Sequence, residues 1–285
     1  MKGFASDNYA GVLPEIMEAL NKANFEHARS YGADEITERT TKLFRDVFGA
    51  DVDVHFVFNG TGANVLSMSA CTQSFNSVLC AETSHMYWDE STAPENFTGC
   101  RFIPVEINEQ GKLTPEAISK CLIRKGDMHF AQPSVVSVTQ STEYATIYSL
   151  DELKAIGELK AQNGLYYHMD GARFFNAVAA LECTIKEMST DVGLDILSLG
   201  GTKAGMMYGE AVVVFNPELK KYMNYKHKQS MQLASKTRFI SAQFEALITN
   251  DLWKKHAGHA NAMAQLLQTS VSGIDGVSIT KPVHA

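Results

Sequence analysis

Seven short apolar runs recur along the first three quarters of the chain: VHFVF at 54–58, SVLC at 77–80, RFIPV at 101–105, SVVSV at 134–138, LYYHM at 165–169, DILSL at 195–199 and AVVVF at 211–215. Their length and their β-branched and aromatic content predict strands. They are nearly all apolar rather than alternating, as strands covered on both faces are. Segments with helical spacing lie between them, such as Leu113 to Ile123 and Leu150 to Leu159. This alternation predicts an α/β fold with a mostly parallel central sheet and helices on both faces. From about Ile240 the pattern changes to longer helical stretches, Ala242 to Thr249 and Trp253 to Thr269, followed by one more strand-like run, VSIT at 277–280. We place a boundary near 247, with residues 1–247 as one large α/β domain and residues 248–285 as the start of a small C-terminal domain. The chain stops at Val283, His284 and Ala285 where that domain begins, so an incomplete sequence is expected.

Composition narrows the classes. With 45% hydrophobic and 20% charged residues, the 285-residue chain has the balance of a globular protein with a sizeable core. A net charge of −7 leaves no basic face for nucleic acid by bulk electrostatics. The local cluster Lys220, Lys221, Lys226, Lys228, Lys236 and Arg238 reads as a solvated surface with one or two anion-binding members. Five scattered cysteines, an odd number, give neither a disulfide framework nor a zinc pattern. No metal is expected, and a reducing compartment fits. No signal peptide and no run of about 18–20 apolar residues occurs, so the expectation is a cytoplasmic protein without membrane contact.

The candidate chemistry lies where the predicted strands end. His168, Met169, Asp170, Gly171, Ala172 and Arg173 close one strand, and Gly200, Gly201, Thr202, Lys203, Ala204 and Gly205 follow the next. Both Asp170 and Lys203 therefore emerge at the carboxyl edge of the sheet, the binding crevice of open α/β folds. A carboxylate and an amine at that edge match the needs of pyridoxal phosphate. The anion keeps the ring nitrogen protonated, which makes the ring an electron sink, and the amine forms an imine with the aldehyde. Taken singly, Asp170 reads as a helix N-cap and Lys203 as a loop lysine. A second element, Asn59, Gly60, Thr61, Gly62, Ala63 and Asn64, opens a helix directly after a strand and offers free amides to a phosphate. Its resemblance to a dinucleotide fingerprint is weak, since Val65 stands where the third glycine belongs. His85, in ETSHMYWDE after SVLC, reaches the same edge, where its ring can stack on a cofactor; His55, His129 and His168 read as structural.

Together these motifs carry a family resemblance. FASDNYAGVLPEIMEAL, SYGADEITERTTKLFRDVFG, FNGTGAN, ETSHMYWDE, YYHMDGARFFNA and SLGGTKAG, spread from Ser6 to about 283, resemble the low-specificity threonine aldolases of the β-eliminating lyase group, which are fold-type I pyridoxal phosphate enzymes. The resemblance implies Lys203 as the imine lysine, Asp170 as the partner of the pyridine nitrogen and His85 as the stacking ring. Gly60, Thr61 and Gly62 would bind the phosphate, with Thr202 and Arg173 also near the cofactor. Ser6 and Arg173 would hold the amino-acid carboxylate, and Tyr31 would approach the active site of a neighbouring subunit in a homodimer or homotetramer.

The implied reaction cleaves the Cα–Cβ bond of L-threonine or L-allo-threonine to glycine and an aldehyde, serving glycine formation and threonine breakdown. The alternatives are β-elimination of the tryptophanase or tyrosine phenol-lyase kind, and a noncatalytic nucleotide-binding α/β protein. Two departures stand out. Where many members have a second histidine after the strand matching SVVSV, this chain reads Thr139, Gln140, Ser141, Thr142, Glu143, Tyr144. The family's C-terminal arginine also has no matching position before Ala285.

Overall fold

The computed structural model describes residue 3 and residues 5–285. Seven strands form one sheet: β1 Asp53–Val57, β2 Asn76–Ala81, β3 Arg101–Val105, β4 Gln132–Thr139, β5 Tyr166–Gly171, β6 Ile196–Gly200 and β7 Glu210–Val214, in the order β1-β7-β6-β5-β4-β2-β3. Every apolar run noted between 54 and 215 thus lies on a strand, with ends shifted by a residue or two. The β3-β2-β4-β5-β6 pairings are parallel, whereas β7 runs antiparallel to both β6 and β1. The run VSIT at 277–280 forms no strand. Val277 and Ile279 are exposed there and pair with no neighbouring strand.

Side chains alternate between two apolar layers. Leu79, Met169, Leu197 and Val213 enter one core, and Val78, Ile196, Val212 and Val214 enter the other, so successive residues of one strand serve opposite faces. The labelled helices are α1 Pro14–Ala23, α2 Glu35–Phe48, α3 Gly60–Cys71, α4 Leu150–Asn163, α5 Phe174–Ala180, α6 Arg238–Ile248 and α7 Leu252–Val271. Helix α3 covers the second layer through Ala63, Leu66 and Met68, while α2, α4, α5 and α6 cover the first through Phe44, Ile156, Phe175 and Phe244.

Caps fix where these helices begin. Asp34 accepts from the Thr37 amide at 2.8 Å, and Ser149 with Glu152 forms a reciprocal capping box on α4. A kink with left-handed Asn250 and Asp251 separates α6 from α7. Beyond it, α7 lies on α5, where the Trp253 ring meets Phe175 with centroids 5.4 Å apart. The segment after α7 reaches the loop before α4, where His284 Nδ1 accepts from the Ile147 amide at 3.2 Å.

Candidate active site

Parallel pairing aligns the strand ends. Thr139 of β4, Asp170 of β5 and Ser198 of β6 are register partners, so they reach the carboxyl edge side by side. Lys203 follows β6 in a 3-10 turn, Thr202–Ala204, and His85 starts a one-turn helix after β2. Strand β1 runs in the same direction as β6, because both are antiparallel to β7, and α3 therefore opens at the same edge. A cavity of ≈ 230 Å³ lies there, walled by Asn8, Asn59, Gly60, Thr61, His85, Asp170, Ser198, Thr202, Lys203 and Glu210 among others. A smaller one of ≈ 80 Å³ shares Gly60, Thr61, His85, Asp170, Ala172 and Lys203 with it and adds Asn64, Glu90, Thr139, Glu143 and Arg173.

Asp170 is buried and held by two donors. Asn64 Nδ2 donates to its Oδ2 at 3.0 Å, and the Ala172 amide donates to its Oδ1 at 3.0 Å. The same Asn64 amide donates to Glu90 Oε1 at 2.8 Å, which in turn receives His85 Nδ1 at 2.9 Å. Two carboxylates facing one amide group require its nitrogen to point at both, which fixes its orientation. The hydrogen bond from His85 to Glu90, with the charges of Glu90 and Asp170, holds the imidazole above its ordinary range despite half-burial. One face of this chain thus ends in an imidazole whose Nδ1 is committed and whose ring borders the cavity.

The site fits an anionic, planar cofactor. At the start of the 12-residue α3, the amides of Gly60 and Thr61 have no acceptor within the helix, and the space beside the Gly60 α-carbon is open. Gly62 behaves differently. Its amide already donates to Asn59 Oδ1 at 2.8 Å and its α-carbon packs under the Gln232 side chain, so it does not line the cavity. Glu210 accepts from the Gly201 amide beneath the Lys203 turn, and burial pushes its carboxyl up to about 7.

The residues of the expected carboxylate grip have partners within the chain. Arg173 lines the smaller cavity, yet its Nε and Nη2 donate to Asp7 at 2.7 and 3.2 Å. Ser6 caps the turn Asp7–Tyr9 by accepting from the Asn8 amide at 3.2 Å and lines neither cavity. Tyr31 is exposed at positive φ, with Lys228 Nζ 4.9 Å from its ring centroid, and also lines neither. His168 is a buried strut: its ring bridges Ser137 at 2.8 Å and Ser198 at 3.0 Å.

Asn64, Glu143, Ser198 and Glu210 are site-lining groups that strand-end reasoning does not single out. Asn64 was legible in principle, since it lies one turn beyond Gly60 on the same helix face. Glu143 becomes visible only when its loop packs at the sheet edge, and Glu210 only when β7 pairs it with Gly200 at the end of β6.

Comparison with known proteins gives the family and the fold. The family described as beta-eliminating lyase matches residues 3–285. The low specificity L-threonine aldolases of Pseudomonas sp. (strain NCIMB 10558) and Pseudomonas aeruginosa are 47% and 46% identical to the chain, in each case over 99% of this chain and 82% of theirs. Among solved structures, a Leishmania major threonine aldolase superposes with a TM-score of 0.92 at 27% identity, over 99% of this chain and 82% of that one. An aspartate aminotransferase of Thermus thermophilus gives 0.73 at 15% identity, over 100% and 83%, a likeness of fold alone.

Proposed function

The chain belongs to the beta-eliminating lyase family, and from that premise we propose that it is a pyridoxal phosphate-dependent aldolase. Its reaction cleaves the Cα–Cβ bond of L-threonine, L-allo-threonine and related β-hydroxy-α-amino acids to glycine and an aldehyde. The observation that carries this reading is the common cavity wall of Lys203, Asp170, His85, Gly60 and Thr61. When bound, the cofactor supplies a sink for the electron pair released at the α-carbon.

The chain's own residues do the rest. Lys203 is the attachment point and an amine able to move a proton at the α-carbon. Asp170, steadied by Asn64 and the Ala172 amide, would keep a proton on the ring nitrogen of the bound cofactor. His85, turned by Glu90, would lie over a bound ring, and the amides of Gly60 and Thr61 with the Thr202 side chain would hold its phosphate. Arg173 takes the substrate carboxylate once Asp7 gives way, with Ser6 beside it in sequence. That grip would fix which bond at the α-carbon is aligned for cleavage, and so select Cα–Cβ cleavage over loss of another group.

The protein is proposed to act in the cytoplasm, in glycine formation and threonine breakdown, as a homodimer or homotetramer with shared sites. No helix among the described residues is long and apolar enough to cross a membrane. The proposed boundary near 247 has the kink at Asn250 and Asp251 in its favour.

Incubation of the protein with pyridoxal phosphate and each threonine isomer tests the reading. Glycine and acetaldehyde in equal amounts are expected. Ammonia and a keto acid would replace it with β-elimination, and failure to bind the cofactor would sink both.

A further inference from the structure

Cleavage of a β-hydroxy-amino acid needs an acceptor for the hydroxyl proton, and the stretch after β4 offers no imidazole. It offers a carboxyl group instead. Glu143 lies four residues beyond the end of β4 and lines the smaller cavity together with Arg173, His85 and Lys203. Its Oε1 is held by two donors from different elements, Thr139 Oγ1 at 2.9 Å and the His85 backbone amide at 3.0 Å. Its Oε2 is buried and has no partner among the described residues.

Resting on the proposed aldolase reaction, we propose that Glu143 is the group that takes the β-hydroxyl proton of the substrate. Glu90 lines this cavity too and also has a buried Oε2 without a partner among the described residues, so what separates the acids is where each is held. Asp170 is held from both sides by Asn64 and Ala172, at the end of β5. Glu90 is closed in beneath His85 and Asn64, with a side chain only 1% exposed. Arg173 and Glu143 line the same cavity, so a substrate whose carboxylate rested on the guanidinium would lie in a space that this carboxyl also borders.

In the step itself, the O–H bond breaks and its proton passes to Glu143. The oxygen's electron pair forms the carbonyl, the Cα–Cβ bond breaks, and its pair stays with the α-carbon. The proton gained by Glu143 balances the one that the α-carbon takes up to become glycine. Burial raises the Glu143 carboxyl above its ordinary range, in the direction that makes a carboxylate a better base near neutrality.

Glu143→Gln tests this, because the amide oxygen can still accept from Thr139 and His85 while the proton acceptor is lost. Two reactions of the cofactor-loaded enzyme separate the roles. Threonine cleavage needs the hydroxyl proton removed, whereas exchange of the glycine α-hydrogen with deuterated water does not. Turnover with threonine should fall by roughly 10²–10⁴-fold, the usual worth of general-base assistance, with glycine exchange and glycine affinity within about threefold of wild type. Glu143→Asp should lie between the two. Infrared titration of the cofactor-free protein should show a carboxyl band that protonates above the ordinary carboxylate range and is absent from the glutamine variant.

Cleavage by Glu143→Gln at the wild-type rate would overturn the proposal. A parallel fall in exchange and cleavage would also overturn it, by making Glu143 a support for His85. A wild-type protein that exchanges glycine but leaves threonine intact would sink the aldolase reading itself, and this one with it.

Discussion

At the residue scale, one amide does much of the arranging. Asn64 donates to both Glu90 and Asp170, so the imidazole and the carboxylate at the cavity share a single rigid support. Charge on Asp170 is the property that the ring nitrogen requires, and its size and hydrogen bonds are not. Asp170→Asn should therefore still bind pyridoxal phosphate, seen by its visible absorbance, yet lose at least about 100-fold in threonine turnover, because a neutral amide no longer favours the protonated ring. Turnover near that of wild type would leave Asp170 as a cap for the turn before α5.

At the element scale, the approach of two strand ends sets the position of Lys203. Gly200 closes β6 against the turn after β5, and a Cβ there would meet the Ala172 oxygen at 2.3 Å and its carbonyl carbon at 2.7 Å. Backbone atoms cannot step aside as a flexible side chain can. Gly200→Ala should cost about 1–3 kcal/mol in urea unfolding and weaken cofactor binding, as overpacking does elsewhere. Unchanged values for both would show that the turn has slack.

The same strands carry a buried histidine strut. Burial lowers His168 to about 4. A group depressed in the folded state contributes stability that is present above its unfolded value and lost as the pH falls toward the folded one. From about pH 7.5 to about pH 5 the loss should be roughly 2 kcal/mol, for an unfolded value near 6.5. His55, lowered to about 3 chiefly by burial, acts in the same sense. Urea unfolding of His168→Gln across this range should show a shallower acid limb, and an unaltered slope would mean that the ring is already charged between Ser137 and Ser198.

At the scale of the molecule, the site borders an exposed aromatic surface. Phe58 and Tyr208 stack with centroids 6.5 Å apart, and the Phe58 amide donates at 3.0 Å to Gln232, the side chain that covers Gly62. Tyr31, also exposed, is tied to the segment that follows Gln232, its amide donating to the Ser235 carbonyl at 2.9 Å. Apolar rings gathered beside a site are what a partner subunit would cover. Phe58→Asp should lower the mass measured by sedimentation to that of a single chain and reduce threonine cleavage with it. A variant that sediments like wild type would remove this surface from the subunit contact.

The chain alone determined the strands from 54 to 215, because runs of apolar residues buried on both faces leave few other solutions. It also determined that Asp170, Lys203, His85 and the Gly60–Thr61 turn meet, since in a parallel sheet every strand of one direction ends at one edge. The strand expected at 277–280 did not form, because a strand needs a neighbour and sequence does not say where one is free. The same limit hid the second layer of the site. The Asp7 contact that occupies Arg173, the Asn64 bridge and the place of Glu143 beside His85 all join residues far apart in sequence. Their meeting is fixed by how loops pack across strand ends, and no local period or spacing encodes it.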